Sequence, residues 1–131
     1  MITRRSLLSL ISAATLFAAV SAAGAAERTP FDRAAFDAAV AAGGPVLVDV
    51  NAPWCTTCRA QGKVLTRLFK SPEYEGYRVF VVDYDTEKDV MRSLGATQRS
   101  TLIVFGGGSE RGRLVGDTRT ASIRALLAKG T

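Results

Sequence analysis

Three mostly apolar runs divide the chain and indicate strands that are buried on both faces. They are Val46–Val50, Arg78–Asp83 and Ser100–Phe105, and each is rich in β-branched or aromatic residues. The triplet Gly106–Gly108 predicts a flexible turn after the third run. Arg113–Val115 then predicts a short return strand that forms a hairpin with that run.

Apolar residues recur at helical spacing around these runs, and glycine or proline signals close each segment. The four predicted helices are residues 31–42, which follow Thr29-Pro30, then 60–69, 87–94 and 118–129. Their inward residues, after the first helix, are Ala60, Val64, Leu65, Leu68, Phe69, Val90, Met91, Leu94, Ile123, Leu126 and Leu127.

This alternation predicts an α/β fold with a central mixed sheet of about four to five strands flanked by helices. Strands joined by helices imply parallel pairing through right-handed crossovers, and the final hairpin adds an antiparallel edge. At 131 residues the chain is long enough for one such domain and too short for two good cores.

The first 26 residues have the three-part pattern of an export signal. A basic start with Arg4-Arg5 precedes a mostly apolar stretch over 7–20, and small residues follow over 21–26. We therefore expect a signal peptide at 1–26 and a domain at 27–131 that works in the periplasm. The paired arginines leave a twin-arginine signal and an ordinary Sec signal open, and a retained membrane anchor is a further alternative.

Composition excludes several classes of function. The net charge is +5 and the basic residues are scattered, which does not suggest nucleic-acid binding. The chain has no histidine, which excludes a histidine general base, a Cys–His catalytic pair and every zinc site that uses histidine.

The two cysteines, Cys55 and Cys58, follow a Pro53-Trp54 corner directly after the first strand. This spacing places Cys55 at the start of a helix, where free N–H groups and the helix dipole favour a thiolate. We interpret the cysteines as a redox pair, with Cys55 the nucleophile and the more exposed of the two. An inert disulfide, or a metal shared between two chains, remains the alternative.

Asp49 lies within the first apolar run. A dry, ionised carboxylate is costly, so the pKa of Asp49 should be raised. An aspartate at a strand end that only binds backbone groups is the other interpretation.

The order of elements, with Ala52-Pro53-Trp54-Cys55-x-x-Cys58, resembles the thioredoxin superfamily from about Phe31 to the C-terminus. Within it, the exported chain is similar to periplasmic thioredoxins and to the C-terminal domain of DsbD-type reductases. The resemblance implies a thioredoxin-like fold, a monomer, and a redox-active disulfide with no metal or other cofactor.

The resemblance also implies roles for particular residues. Cys55 would attack a substrate disulfide, Cys58 would resolve the mixed disulfide, and Asp49 would act as general acid and base for Cys58. The remaining implied substrate-binding residues are Trp54, Arg99, Ser100 and Thr101.

Ser100 departs from the family pattern, which has a cis-proline at this position facing the cysteines. A trans bond is expected at serine because a non-proline cis bond costs about 2.5–4 kcal/mol. The substitution should leave an N–H and a hydroxyl group near the sulfur atoms.

These features predict a periplasmic thiol–disulfide oxidoreductase that mainly reduces protein disulfides. A membrane thiol donor of the DsbD/CcdA type is the implied source of electrons. Three alternatives remain open: a disulfide oxidase or isomerase, a metal or metal-cluster binding protein, and a non-catalytic binding module.

Overall fold

A five-stranded mixed sheet forms the centre of the protein in the computed structural model, which describes residues 26–131. The strands lie in the order β1-β3-β2-β4-β5. Their bounds are β1 Arg28–Pro30, β2 Val46–Asn51, β3 Arg78–Asp83, β4 Thr101–Gly106 and β5 Ser109–Val115.

Within the described residues, four α-helices cover the two faces of this sheet, in agreement with the predicted segments. Their bounds are α1 Arg33–Ala41, α2 Thr56–Leu68, α3 Lys88–Ser93 and α4 Thr120–Ala128, and a 3₁₀ turn spans Pro72–Tyr74. Asp32 caps α1 by accepting a hydrogen bond from the Ala35 N–H at 2.8 Å. Within the described residues no helix is long and apolar enough to cross a bilayer.

Strand direction corrects one prediction. β1 and β2 are parallel to β3, but β4 is antiparallel to β2, whereas the connecting helix implied a parallel third strand. The six residues of α3 advance the chain by only about 9 Å, less than the roughly 20 Å length of a six-residue strand. The chain therefore re-enters the sheet at the edge where β3 ended, and Thr101 of β4 pairs with Val50 near the end of β2.

The edge strand β1 is not predicted by the sequence, in which Thr29-Pro30 indicates the approach to the first helix. It has only three residues, too few to show a period, and it is defined by its pairing with β3. The predicted signal peptide lies outside the described residues except for Ala26.

The sheet has a core on each face. Leu47 and Val48 point to opposite faces, and both are fully buried. The Leu47 face packs against α2 and α4, and the Val48 face packs against α1 and α3. Asp49 shares the Leu47 face by alternation, which directs its carboxyl group toward α2.

Candidate active site

Cys55 is the N-cap residue of α2. The chain turns sharply after β2, and the Cys55 N–H donates to the carbonyl of Ala52 at 3.1 Å. The Cys55 sulfur in turn accepts a hydrogen bond from the Cys58 N–H at 3.1 Å. The predicted placement of Cys55 at a helix N-terminus is confirmed, and a thiolate there would be stabilised by the N–H group and the helix dipole.

Cys55 and Cys58 form a disulfide, with their Cα atoms 5.2 Å apart. Both residues are almost inaccessible, 2% and 1% exposed respectively. Cys55 is the more exposed of the two, as predicted, but only by one percentage point in this disulfide form. Ala52 and the half-buried Tyr84 pack over the pair.

Ser100 lies directly against the disulfide. Its hydroxyl oxygen is 3.2 Å from the sulfur of Cys55 and 3.1 Å from that of Cys58. No cis peptide bond occurs within residues 26–131, and Ser100 adopts a left-handed φ of 57°. The trans bond and the nearby hydroxyl agree with the prediction. The N–H does not serve the sulfurs, because it donates to the carbonyl of Val50 at 2.8 Å.

The backbone of Ser100 is held by groups that the sequence did not suggest. Gln61 of α2 is fully buried, and its amide nitrogen donates to the carbonyls of Ser100 at 3.1 Å and Asp117 at 3.0 Å. The Gly116 N–H also donates to the Ser100 carbonyl, at 2.9 Å. Gln61 lies four residues before Leu65 and seven before Leu68, so helical spacing could have marked it as inward-facing.

Asp49 is buried and forms an ion pair with Arg28 of β1. Burial raises the pKa of Asp49 from its ordinary value near 3.8 to about 6, and the charge and hydrogen bond of Arg28 oppose that rise. The predicted increase is confirmed in direction. Arg28 was not identified from the sequence, because nothing in a three-residue edge strand marks a residue that reaches toward the active site.

A cavity of about 620 Å³ opens beside Cys58. It contains positively charged side chains from β1 and α2, and none of the described residues that line it is acidic. Its lining is Arg28, Asn51, Cys58, Arg59, Gly62, Lys63, Thr66 and Arg67. Arg28 therefore faces both the buried carboxylate of Asp49 and the space beside Cys58.

Comparison with known proteins identifies the family. Residues 28–129 match the sequence model described as Thioredoxin. The chain belongs to the thioredoxin family.

Individual relatives agree with this assignment. The chain is 33% identical over 85 residues to Thioredoxin Asp f 29 of Aspergillus fumigatus, covering 65% of this chain and 77% of that protein. It is 35% identical over 104 residues to a Thioredoxin H-type of Chlamydomonas reinhardtii, covering 74% and 88%. The crystal structure of Trxlp from Edwardsiella tarda superposes with a TM-score of 0.74 at 40% identity, covering 77% of this chain and 98% of that one.

The thioredoxin is thus a thiol–disulfide oxidoreductase of the mixed-sheet fold that the sequence predicted. Its Cys55–Cys58 pair forms the redox-active disulfide. Within residues 26–131, no group of three His, Cys, Asp or Glu side chains is arranged to hold a metal ion.

The other predicted site residues of this thioredoxin fall into two groups. Trp54 is 54% exposed, donates to Asp85 at 2.9 Å, and lies under the guanidinium of Arg99 at 4.9 Å. Arg99 and Ser100 also line a shallow depression of about 160 Å³ with the exposed Val115. Thr101 is buried and donates to the carbonyl of Gln98 at 2.7 Å, which gives no support to a contact with substrate.

Proposed function

We propose that this thioredoxin is an exported, periplasmic enzyme that reduces protein disulfides through Cys55 and Cys58. The hydrogen bond from the Cys58 N–H to the Cys55 sulfur carries the assignment of roles. It gives Cys55 a donor supplied by the helix N-terminus, so Cys55 is the cysteine whose thiolate is stabilised for attack.

The reaction balances as two exchanges. The Cys55 thiolate attacks one sulfur of the substrate disulfide, forming a Cys55–substrate disulfide and releasing the other substrate sulfur as a thiolate. Cys58 then loses its proton and attacks Cys55, which breaks the mixed disulfide and releases the second substrate thiolate. The substrate gains two electrons, and the enzyme is left with the Cys55–Cys58 disulfide.

Asp49 is proposed as the group that takes the proton from Cys58. A carboxyl group with a pKa near 6 can exchange a proton close to neutral pH, and Asp49 lies on the sheet face that α2 covers. One of its oxygens, Oδ1, is buried and has no hydrogen-bond partner among the described side chains and backbone groups. This free oxygen is the acceptor that the transfer requires.

Protein substrates are proposed to dock on a face formed by Trp54, Arg99 and Val115, which we call the docking face. Trp54 and Val115 are the two large hydrophobic side chains exposed within residues 26–131. Exposed aromatic and arginine side chains are typical anchors of protein interfaces. Arg99 joins them because it stacks on Trp54 and borders the depression beside Ser100.

Export and the reducing direction rest on sequence features. The pattern of residues 1–26 supports a cleaved signal peptide, with 27–131 as the mature domain. The residues between the cysteines are Thr56 and Thr57, which add no cation to stabilise a thiolate strongly, as a strong oxidant would require. An exported reductant needs a donor, and a membrane protein of the DsbD/CcdA type would supply its electrons.

The reduction potential of the mature domain, with metal analysis of the same sample, tests this proposal. We expect about −270 mV, the value typical of thioredoxins, and no stoichiometric metal. A potential near −120 mV would instead indicate an oxidase, and metal lost on Cys55→Ser would indicate a metal-binding protein. Cell fractionation of the full chain tests export, and recovery in the cytoplasm would contradict it.

A further inference from the structure

Ser100 is the residue whose conformation the fold enforces most clearly at the active site. A left-handed φ is unfavourable for a residue with a side chain, and it persists only where surrounding contacts hold it. Three hydrogen bonds of 2.8–3.1 Å hold the Ser100 backbone. Its N–H donates to the carbonyl of Val50, and its carbonyl accepts from the Gly116 N–H and from the side-chain amide of Gln61. The side chain is therefore fixed against the sulfurs.

The hydrogen bonds around the two sulfurs distinguish them. The Cys55 sulfur receives the Cys58 N–H and lies within reach of the Ser100 hydroxyl. The Cys58 sulfur also lies within reach of that hydroxyl, but its other neighbour is the carbonyl of Val50 at 4.0 Å, which can only accept. A thiolate on Cys55 and a thiol on Cys58 satisfy this arrangement. The Cys58 N–H and the Ser100 hydroxyl then donate to the negatively charged sulfur of Cys55, and the S–H of Cys58 faces the carbonyl of Val50.

We propose that Ser100 is a catalytic residue whose hydroxyl donates a hydrogen bond to the Cys55 thiolate and then to the Cys58 sulfur as it becomes anionic. The inference deepens the proposed function and rests on it. The hydroxyl keeps its own proton throughout, so the electron and proton balance of the two exchanges is unchanged. Its single O–H turns between two acceptors that are 3.2 and 3.1 Å from its oxygen.

This role differs from the predicted one, in which Ser100 contacts substrate. Ser100 is 3% exposed, and its backbone N–H and carbonyl are already paired within the protein. The hydroxyl is the one polar group of Ser100 that remains available for the reaction, and it faces the sulfur atoms of Cys55 and Cys58.

The test is the pH dependence of Cys55 alkylation by iodoacetamide in the reduced mature domain. Ser100→Gly removes the hydroxyl and accepts the left-handed φ without strain. We expect the midpoint pH of alkylation to rise by about one unit, which corresponds to a tenfold smaller thiolate fraction below the midpoint. A shift of less than about 0.3 unit would overturn the proposal.

Ser100→Ala separates the hydroxyl from the backbone, because it removes the same group but retains the strain of a Cβ at this φ. The midpoint pH should shift equally in the two variants, and a shift in Ser100→Gly alone would assign the effect to relief of backbone strain and overturn the proposal. Thr97→Ala removes an exposed hydroxyl from the same loop and should leave the midpoint unchanged.

Other charged and titratable groups near the pair are the same in all of these variants. They are Arg28 of β1, Asp49 of β2, Tyr84 after β3, Arg59 of α2 and Arg99 before β4. Alkylation uses no protein substrate, so failure of the wild type to reduce protein disulfides would count against the proposed function alone.

Discussion

Arg28 of β1 pairs with Asp49 of β2 across the intervening strand β3. The first strand of the domain thus supplies the positive charge that faces the buried active-site carboxylate. Arg28 is partly exposed, with 29% of its side chain accessible, whereas 2% of the Asp49 side chain is accessible. The pair therefore links the interior to the cavity beside Cys58, which Arg28 also lines.

Replacing Arg28 should raise the pKa of Asp49 further. Arg28→Gln removes the opposite charge that lowers this pKa but retains a side chain able to donate hydrogen bonds. We expect an increase of about one unit above the wild-type value near 6, measured by a ¹³C NMR titration of the Asp49 carboxyl group.

Arg33→Gln is the matched control, because Arg33 is an exposed arginine that pairs with Asp37 on the surface of α1. It should leave the titration of Asp49 unchanged. An unaltered Asp49 pKa in Arg28→Gln would show that the ion pair does not govern the carboxylate.

Ionisation of the buried Asp49 side chain should lower the free energy of unfolding of the protein. The folded pKa of Asp49, about 6, lies above its ordinary value of 3.8, so between these values the folded state binds more protons than the unfolded state. The free energy of unfolding therefore falls as pH rises from about 4 to 7, by about 2.4 kcal/mol over this range. Asp49→Asn cannot ionise and should lack this loss.

Urea denaturation at pH 4 and pH 8 measures the effect. The stability of Asp49→Asn relative to wild type should improve by about 2.4 kcal/mol between the two pH values. Any cost from leaving Arg28 unpaired is the same at both, because arginine stays charged. Asp37→Asn, at an exposed position of α1, should show no such change, and equal behaviour of the two variants would refute the buried-charge explanation.

Trp54 should contribute to the binding of protein substrates more than to the chemistry. Trp54→Ala removes the largest exposed apolar group beside the disulfide and the surface on which Arg99 stacks. We expect KM for a protein disulfide to increase about tenfold, as for loss of one interface anchor worth about 1.4 kcal/mol.

A small disulfide such as the aromatic reagent DTNB provides the internal control, since it cannot span the docking face. Its rate of reduction should change less than twofold in Trp54→Ala. Equal losses for the small and the protein substrate would place Trp54 in the chemistry and not in docking.

Local pattern was sufficient to predict most of the elements of this protein. The buried runs became β2, β3 and β4, and the inward residues of the last helix, such as Ile123 and Leu127, are fully buried. The position of Cys55 at the start of α2 was also predictable, because it follows a strand and the Pro53-Trp54 corner and directly precedes a helix.

Features that depend on distant segments were not predictable in this way. The direction of β4 depends on the edge of the sheet at which the chain re-enters after the short helix α3. The pairing of Arg28 with Asp49 depends on two strands that are separated by a third. The φ of Ser100 depends on Gln61 and Gly116, which belong to α2 and the turn after β5. Each is set by tertiary contacts that no periodicity records.

Trapping the mixed disulfide tests the assignment of the two cysteines most directly. Reduced Cys58→Ser, treated with a disulfide-bonded protein, should accumulate a covalent adduct at Cys55 because no resolving thiol remains, as mass spectrometry can show. Cys55→Ser should form little adduct under the same conditions. Equal adducts in both variants, or an adduct only at Cys58, would contradict Cys55 as the attacking sulfur.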